Sequence, residues 1–150
     1  MYKTTIILLV AGILSVAPIR AASPLDSLNS LLNRGGRQLY VKKYAEAIKT
    51  FEQALKIDSN SFDALKNIGT AHSAVGNLEK AQKYFEKAYN VKPTNPEINN
   101  NLGASYSSAG EVEKAIKYFE AAVKYDSMSA LFLANLGMEY LKIGRTMAGM

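Results

Sequence analysis

The sequence predicts an all-α protein, a solenoid of stacked helical hairpins. Two observations carry that expectation. The first is an internal repeat. Gly35, Gly69, Gly103 and Gly137 stand 34 residues apart, as do Ala47, Ala81 and Ala115. Phe51, Phe85 and Phe119 keep the same period, and so do Ala54, Ala88 and Ala122. Four slots in one register mark an array of repeats. The second observation is the spacing of apolar residues inside each unit, which is helical and is punctuated by glycine and proline.

The elements follow in chain order. Lys3 precedes an apolar stretch over residues 6–16, and the small residues Ala17, Ala21 and Ala22 follow it. That is the three-part pattern of a secretory signal peptide, read here as residues 1–21. Cleavage after Ala21 fits best, because cleavage after Ala17 would put Pro18 next to the scissile bond. The apolar run is shorter than the ~20 residues needed to span a bilayer. Residues 22–27 form a short lead-in, in which Ser23-Pro24 reads as a helix start with serine as N-cap and proline in the first turn.

Residues 62–95 show the unit most clearly. Leu65, Ile68, Gly69 and His72 lie on one helix face. Gly76-Asn77 marks a turn. Leu78, Ala81, Phe85, Ala88 and Tyr89 form the face of a second helix. Pro93 and Pro96 close the unit, since proline cannot continue a helix interior. Gly69 and Ala81 sit where the two helices should cross, with axes ~8–10 Å apart. Phe85 is the matching large residue. If it is fully buried, Phe85→Ala should cost roughly 3–5 kcal/mol.

The joint pattern of Leu65, Gly69, a ring at position 72, Ala81, Phe85, Ala88 and Pro93 resembles the tetratricopeptide repeat. Residues 96–129 match it again through Leu102, Gly103, Tyr106, Gly110, Ala115, Phe119 and Ala122. The resemblance covers about residues 28–149 and implies a right-handed α-solenoid of helix-turn-helix hairpins. Residues 28–61 depart from the pattern. Arg34 replaces leucine, Gln38 replaces tyrosine and Lys42 replaces the turn glycine. A terminal repeat is often atypical because its outer face must be wet. Residues 130–150 supply Leu133, Leu136, Gly137, Tyr140 and Gly144, but only one helix, over about residues 131–143. Its far side should meet a partner helix. The chain is therefore a fragment, a truncated frame, or a protein whose last face is covered by another chain, possible homo-oligomerisation through residues 131–150 included.

Cysteine is absent, which excludes disulfides, thiolate metal sites and an N-terminal lipidated cysteine. Net charge is +5, and about +3 without Lys3 and Arg20. The lysines recur beside carboxylates: Lys49 with Glu52, Lys83 with Glu86, Lys117 with Glu120. That spacing suits surface ion pairs, so no nucleic-acid partner is expected. His72 is the lone histidine and takes the slot of Tyr106 and Tyr140, a packed ring. A catalytic histidine would need a nucleophile and an orienting acid around it. No spacing offers them, and neither a metal cluster nor a phosphate loop is recognisable. The chain reads as a non-enzyme without cofactor. Tyr84 and Tyr118 should cover the seams between hairpins.

One repeated polar residue is not required by the core. Asn33, Asn67, Asn101 and Asn135 keep the period, two residues before each crossing glycine. By resemblance to the family, this slot points into the concave groove. A carboxamide can pair with both the C=O and the N–H of one peptide unit. First helices ~10 Å apart would place one asparagine at about every third residue of an extended chain rising ~3.3 Å per residue. In this feature alone the array is similar to the repeat domain of O-linked N-acetylglucosamine transferase. Thr70, Ser73, Ala74, Ala104, Ser107 and Ser108 should form the floor. In the family, asparagine here can instead bond the neighbouring hairpin. A second family mode grips a C-terminal carboxylate with lysine, arginine and asparagine. Asn67 fits its middle element, but Glu97 and Asn101 stand where lysine and arginine are needed, so that mode is rejected.

The expected function is a non-catalytic adaptor. It holds an extended or helical segment of a protein partner in its groove, in a secretory or envelope compartment, most naturally a bacterial periplasm. The alternatives are a self-associating module and the N-terminal scaffold of a larger protein.

Overall fold

The computed structural model describes residues 24–148, which form seven α-helices. The expected signal peptide and Ser23 lie outside the described residues. The helices are α1 (Pro24–Tyr40), α2 (Tyr44–Ile57), α3 (Phe62–Ala74), α4 (Leu78–Val91), α5 (Pro96–Ser108), α6 (Val112–Tyr125) and α7 (Ala130–Ala148). They pair as α1 with α2, α3 with α4 and α5 with α6. Each pair packs on the next, and α7 closes the stack against α5 and α6. The all-α helical repeat read from the sequence is the fold observed.

Short turns join the helices of each hairpin. Gly76 and Gly110 take left-handed backbone conformations, with φ of 80° and 78°. Lys42 occupies the same slot at φ 60°, where a side chain is unfavourable. Between the second and third hairpins, the Asn95 side chain caps α5 by accepting from the Ile98 amide at 2.9 Å. Pro96 fits the first turn of that helix, where its missing N–H costs nothing.

The crossing glycines have a direct steric cause. A Cβ on Gly69 would lie 2.5 Å from the Phe85 ring, and one on Gly103 would lie 2.6 Å from Phe119. Gly35 stands likewise 2.6 Å from Phe51. The rings and the alanines beside them are buried. Gly137 differs: nothing lies within 4 Å of its Cβ position. No described helix packs there. Gly144, 34 residues after the turn glycine Gly110, lies inside α7. A turn forms where a returning helix can be buried, and no such helix is present among the described residues.

Two core clusters run through the stack. One joins Ala47, Phe51, Ala54, Ala64 and Ile68 across the first seam. The other joins Leu65, Phe85, Ile98, Leu102, Tyr106 and Phe119 across the second. Tyr84 packs against both. Tyr118 stacks on Tyr106, and its edge meets Tyr89 of the preceding hairpin.

The recurrent Lys–Glu pairs expected on the second helices are not observed. Lys83 pairs with Glu79 at 2.7 Å rather than with Glu86, and no ion pair joins Lys49 to Glu52 or Lys117 to Glu120 among the described residues. Glu86 and Glu120 are used across the seams instead. Glu86 accepts from the Tyr106 hydroxyl at 3.1 Å, and Glu120 accepts from Tyr140. A carboxylate beside a phenol of the next hairpin gains a charge-assisted bond, whereas a lysine in water gains little from it.

Candidate functional site

The first helices of successive hairpins leave clefts between them. Thr70, Ser73 and Ala74 of α3 face Asn101, Ala104, Ser105 and Ser108 of α5 across a cleft of about 290 Å³. Leu78 and Phe85 close its back. A second cleft, also about 290 Å³, lies between α5 and α7. Ala104, Ser107, Ser108, Asn135, Met138, Glu139 and Lys142 line it, with Phe119 behind. Ala104 and Ser108 belong to both, so the clefts form one groove along α3, α5 and α7.

The asparagines are not equivalent. Asn101 lines the first cleft. Asn67 lies one turn before Thr70 on α3, outside that lining and half-buried. Neither carboxamide is hydrogen-bonded to another described residue. Asn135 is engaged: its Nδ2 donates to Asn100 Oδ1 at 2.8 Å, tying α7 to α5. Here the asparagine slot serves the bond to the neighbouring hairpin. Asn33 is exposed on α1 and lines neither cleft.

The floor is biased towards accepting hydrogen bonds. Thr70 Oγ1 donates to the Lys66 carbonyl at 3.1 Å, Ser105 Oγ to Asn101 at 2.9 Å and Ser108 Oγ to Ala104 at 2.9 Å. Each hydroxyl spends its hydrogen on its own helix and keeps lone pairs for the groove. Lys66 pairs with Glu97 at 2.8 Å across α3 and α5. The carboxylate-gripping mode thus meets a glutamate already matched to a lysine.

Three buried polar residues escaped the sequence reading. Asn99 Nδ2 donates to the carbonyls of Pro93 and Asn95, both at 2.8 Å. Asn100 is the acceptor for Asn135. Glu139 is 2% exposed. Its slot holds Ala71 and Ser105 in the preceding repeats, so a charge among small residues was the available signal. Its Oε2 accepts from Ser107 at 2.7 Å and from Lys142 at 2.8 Å. Its Oε1 is buried without a hydrogen-bond partner.

His72 is buried and stacks on Tyr84 at 5.8 Å. Burial, aided by the nearby Lys80 charge, holds its pKa below the ordinary histidine value, and Glu52 partly offsets this. Tyr106 is pushed up by burial and by its bond to Glu86. Among the described residues no group of three or more His, Cys, Asp or Glu side chains could hold a metal ion. No described helix is long and apolar enough to cross a membrane.

Comparison with known proteins agrees with this architecture. Two family models described as tetratricopeptide repeat match residues 26–94 and 74–136. The chain is built of tetratricopeptide repeats, a fold that generally mediates protein interactions without catalysis. Among solved structures, the Sgt2 repeat domain from Aspergillus fumigatus is 26% identical, with a TM-score of 0.75 over 84% of this chain and 83% of that one. The first repeat domain of Spaghetti (RPAP3), bound to the HSP90 peptide SRMEEVD, is 16% identical, with a TM-score of 0.75. That match covers 79% of this chain and 94% of the other. The type III secretion chaperone SycD of Yersinia enterocolitica, in complex with a peptide of the translocator YopD, is 18% identical, with a TM-score of 0.72. It covers 78% of this chain and 95% of that one. At these identities the likeness is one of fold. No curated protein sequence matches the chain.

Proposed function

We propose that this protein is a non-catalytic adaptor that holds an extended segment of a partner protein in the groove along α3, α5 and α7. The observation that carries the reading is the first cleft. It gathers Thr70, Ser73, Asn101, Ser105 and Ser108 on small-residue walls, with the unengaged carboxamides of Asn67 and Asn101 beside it. Small walls admit a peptide backbone, and the polar atoms recognise its amides without regard to sequence. The two solved relatives with peptides support the reading by analogy of fold.

At ~0.5–1.5 kcal/mol per net hydrogen bond, two carboxamides give only part of the affinity. The test is site-specific photocrosslinking from Ser73 in the groove and from Lys83 on a second helix. Partner adducts should form from Ser73 and not from Lys83. The Asn67→Ala/Asn101→Ala double variant should lose them while keeping its melting temperature. Equal crosslinking from both sites would place binding elsewhere.

The compartment is part of the proposal. The apolar residues 6–16 and the small residues after them support a secretory or envelope location. N-terminal sequencing of the mature protein should begin at Ala22. An intact Met1 would remove that support.

A second reading, self-association through α7, has its own observation. Leu131, Leu133, Met138 and Leu141 are exposed on this helix, and Gly137 is open. Sedimentation should then show a dimer that Leu131→Glu/Leu141→Glu dissociates. A strict monomer would eliminate it.

A further inference from the structure

The α5–α7 cleft contains an unmet demand. Glu139 is almost wholly buried, yet only one of its oxygens has partners. Ser107 and Lys142 both converge on Oε2, leaving Oε1 with none. Buried polar atoms are rarely left this way, because the lost hydration is not recovered. Glu139 lines the cleft together with Asn135, Met138 and Lys142. Met138 is exposed, and the half-exposed Lys142 side chain donates to both Ser107 and Glu139.

We propose that Glu139 is the receptor for a guanidinium on the partner segment. This rests on the reading of the groove as a peptide site, and it names the chemistry that the groove selects. Lysine is a point charge, and Lys142 satisfies one oxygen. A guanidinium presents a planar fork that matches both oxygens at once. Entry of an arginine therefore pairs Oε1, while Lys142 moves to solvent and keeps its own hydration. Charge favours this exchange over a neutral amide, since the displaced lysine leaves a bare carboxylate behind. The hydroxyls of the floor offer lone pairs to donors. The groove as a whole favours a donor-bearing, basic segment.

The experiment is an amide-resolved NMR titration of the chain with acetyl-arginine methylamide, and with the lysine and citrulline analogues in parallel. The arginine probe should give saturable shifts around Ser107, Asn135 and Glu139. Citrulline, of similar shape but uncharged, should bind at least about tenfold more weakly, as should lysine, which lacks the fork. Glu139→Gln should remove the difference between arginine and citrulline. Lys142→Met, which removes the internal competitor and leaves the carboxylate in place, should tighten the arginine probe. Citrulline binding equal to arginine would overturn the proposal, as would an unchanged or weakened arginine affinity in Lys142→Met. The second variant decides the matter even if Glu139→Gln fails to fold. Crosslinks from Ser73 without arginine selectivity would leave the peptide groove standing and remove only this inference. Arginine selectivity without crosslinks would do the reverse.

Discussion

The Phe85 ring lies so close to Gly69 that a single methyl group separates a packed crossing from a strained one. An added Cβ would stand 2.5 Å from a ring that is itself only 3% exposed. The ring would have to shift from its packed position to admit the methyl group. Gly69→Ala gains about 1 kcal/mol of helix propensity and costs the ~1–3 kcal/mol typical of overpacking, so urea melts should show a net loss. Phe85→Ala removes the ring altogether and should cost ~3–5 kcal/mol. A loss below about 1 kcal/mol would remove Phe85 from the core. His72 gives a pH signature at the same scale. Its folded pKa lies below the ordinary value of about 6.5, chiefly through burial. The unfolded chain therefore takes up the proton first as pH falls. The contribution of His72 is full above pH ~6.5 and is lost as pH drops through that value towards the folded pKa. His72→Tyr, which restores the residue type of Tyr106, should flatten the fall in urea midpoint between about pH 7.5 and pH 5. An identical pH slope in both proteins would contradict this.

Turns and seams decide how well each helix is held. Lys42 adopts the left-handed conformation that Gly76 and Gly110 adopt without strain. Its neighbour in the turn, Val41, is exposed and offers no packing to offset the cost. Lys42→Gly relieves ~1–2 kcal/mol of backbone strain and loses up to ~1 kcal/mol through the freer unfolded chain. A modest rise in melting temperature is the expected result. These features were legible in the sequence because steric demand recurs with the period: glycine under a ring, alanine beside it, glycine or its substitute in the turn. The ion pairs were not legible. Spacing shows which charges share a helix face, but it does not show that Tyr106 and Tyr140 reach back to Glu86 and Glu120 from the next hairpin. The groove was legible only in part. Thr70, Ser73 and Asn101 meet in one cleft, whereas Asn135 turns to Asn100, a bond that depends on the stagger between α5 and α7. Glu139 needed the fold, because only stacking shows which slots are buried.

The stability of a stack of repeats is a sum of repeat terms and interface terms between neighbours, so each uncovered face counts. Among the described residues, the outer face of α7 is left uncovered. Gly137 keeps the crossing slot, but no ring occupies it, and Leu131, Met138 and Leu141 are exposed around it. The register states what fits. In each complete hairpin the ring follows the crossing glycine at a fixed interval, as Phe119 follows Gly103. Replacing residues 145–150 with the sequence of residues 111–125 would set the Phe119 equivalent in that register relative to Gly137. The appended helix should bury its phenylalanine and add at least the ~1.5–3 kcal/mol of one such side chain. The same change should invert the effect of a substitution. Gly137→Ala in the native chain meets nothing, so it should stabilise by up to about 1 kcal/mol through helix propensity. In the extended chain it meets a ring and should destabilise, as Gly69→Ala does. Thermal melts of the four proteins measure both effects. If Gly137→Ala already destabilises the native chain, a second molecule covers that face in solution, and α7 is an interface rather than an open end.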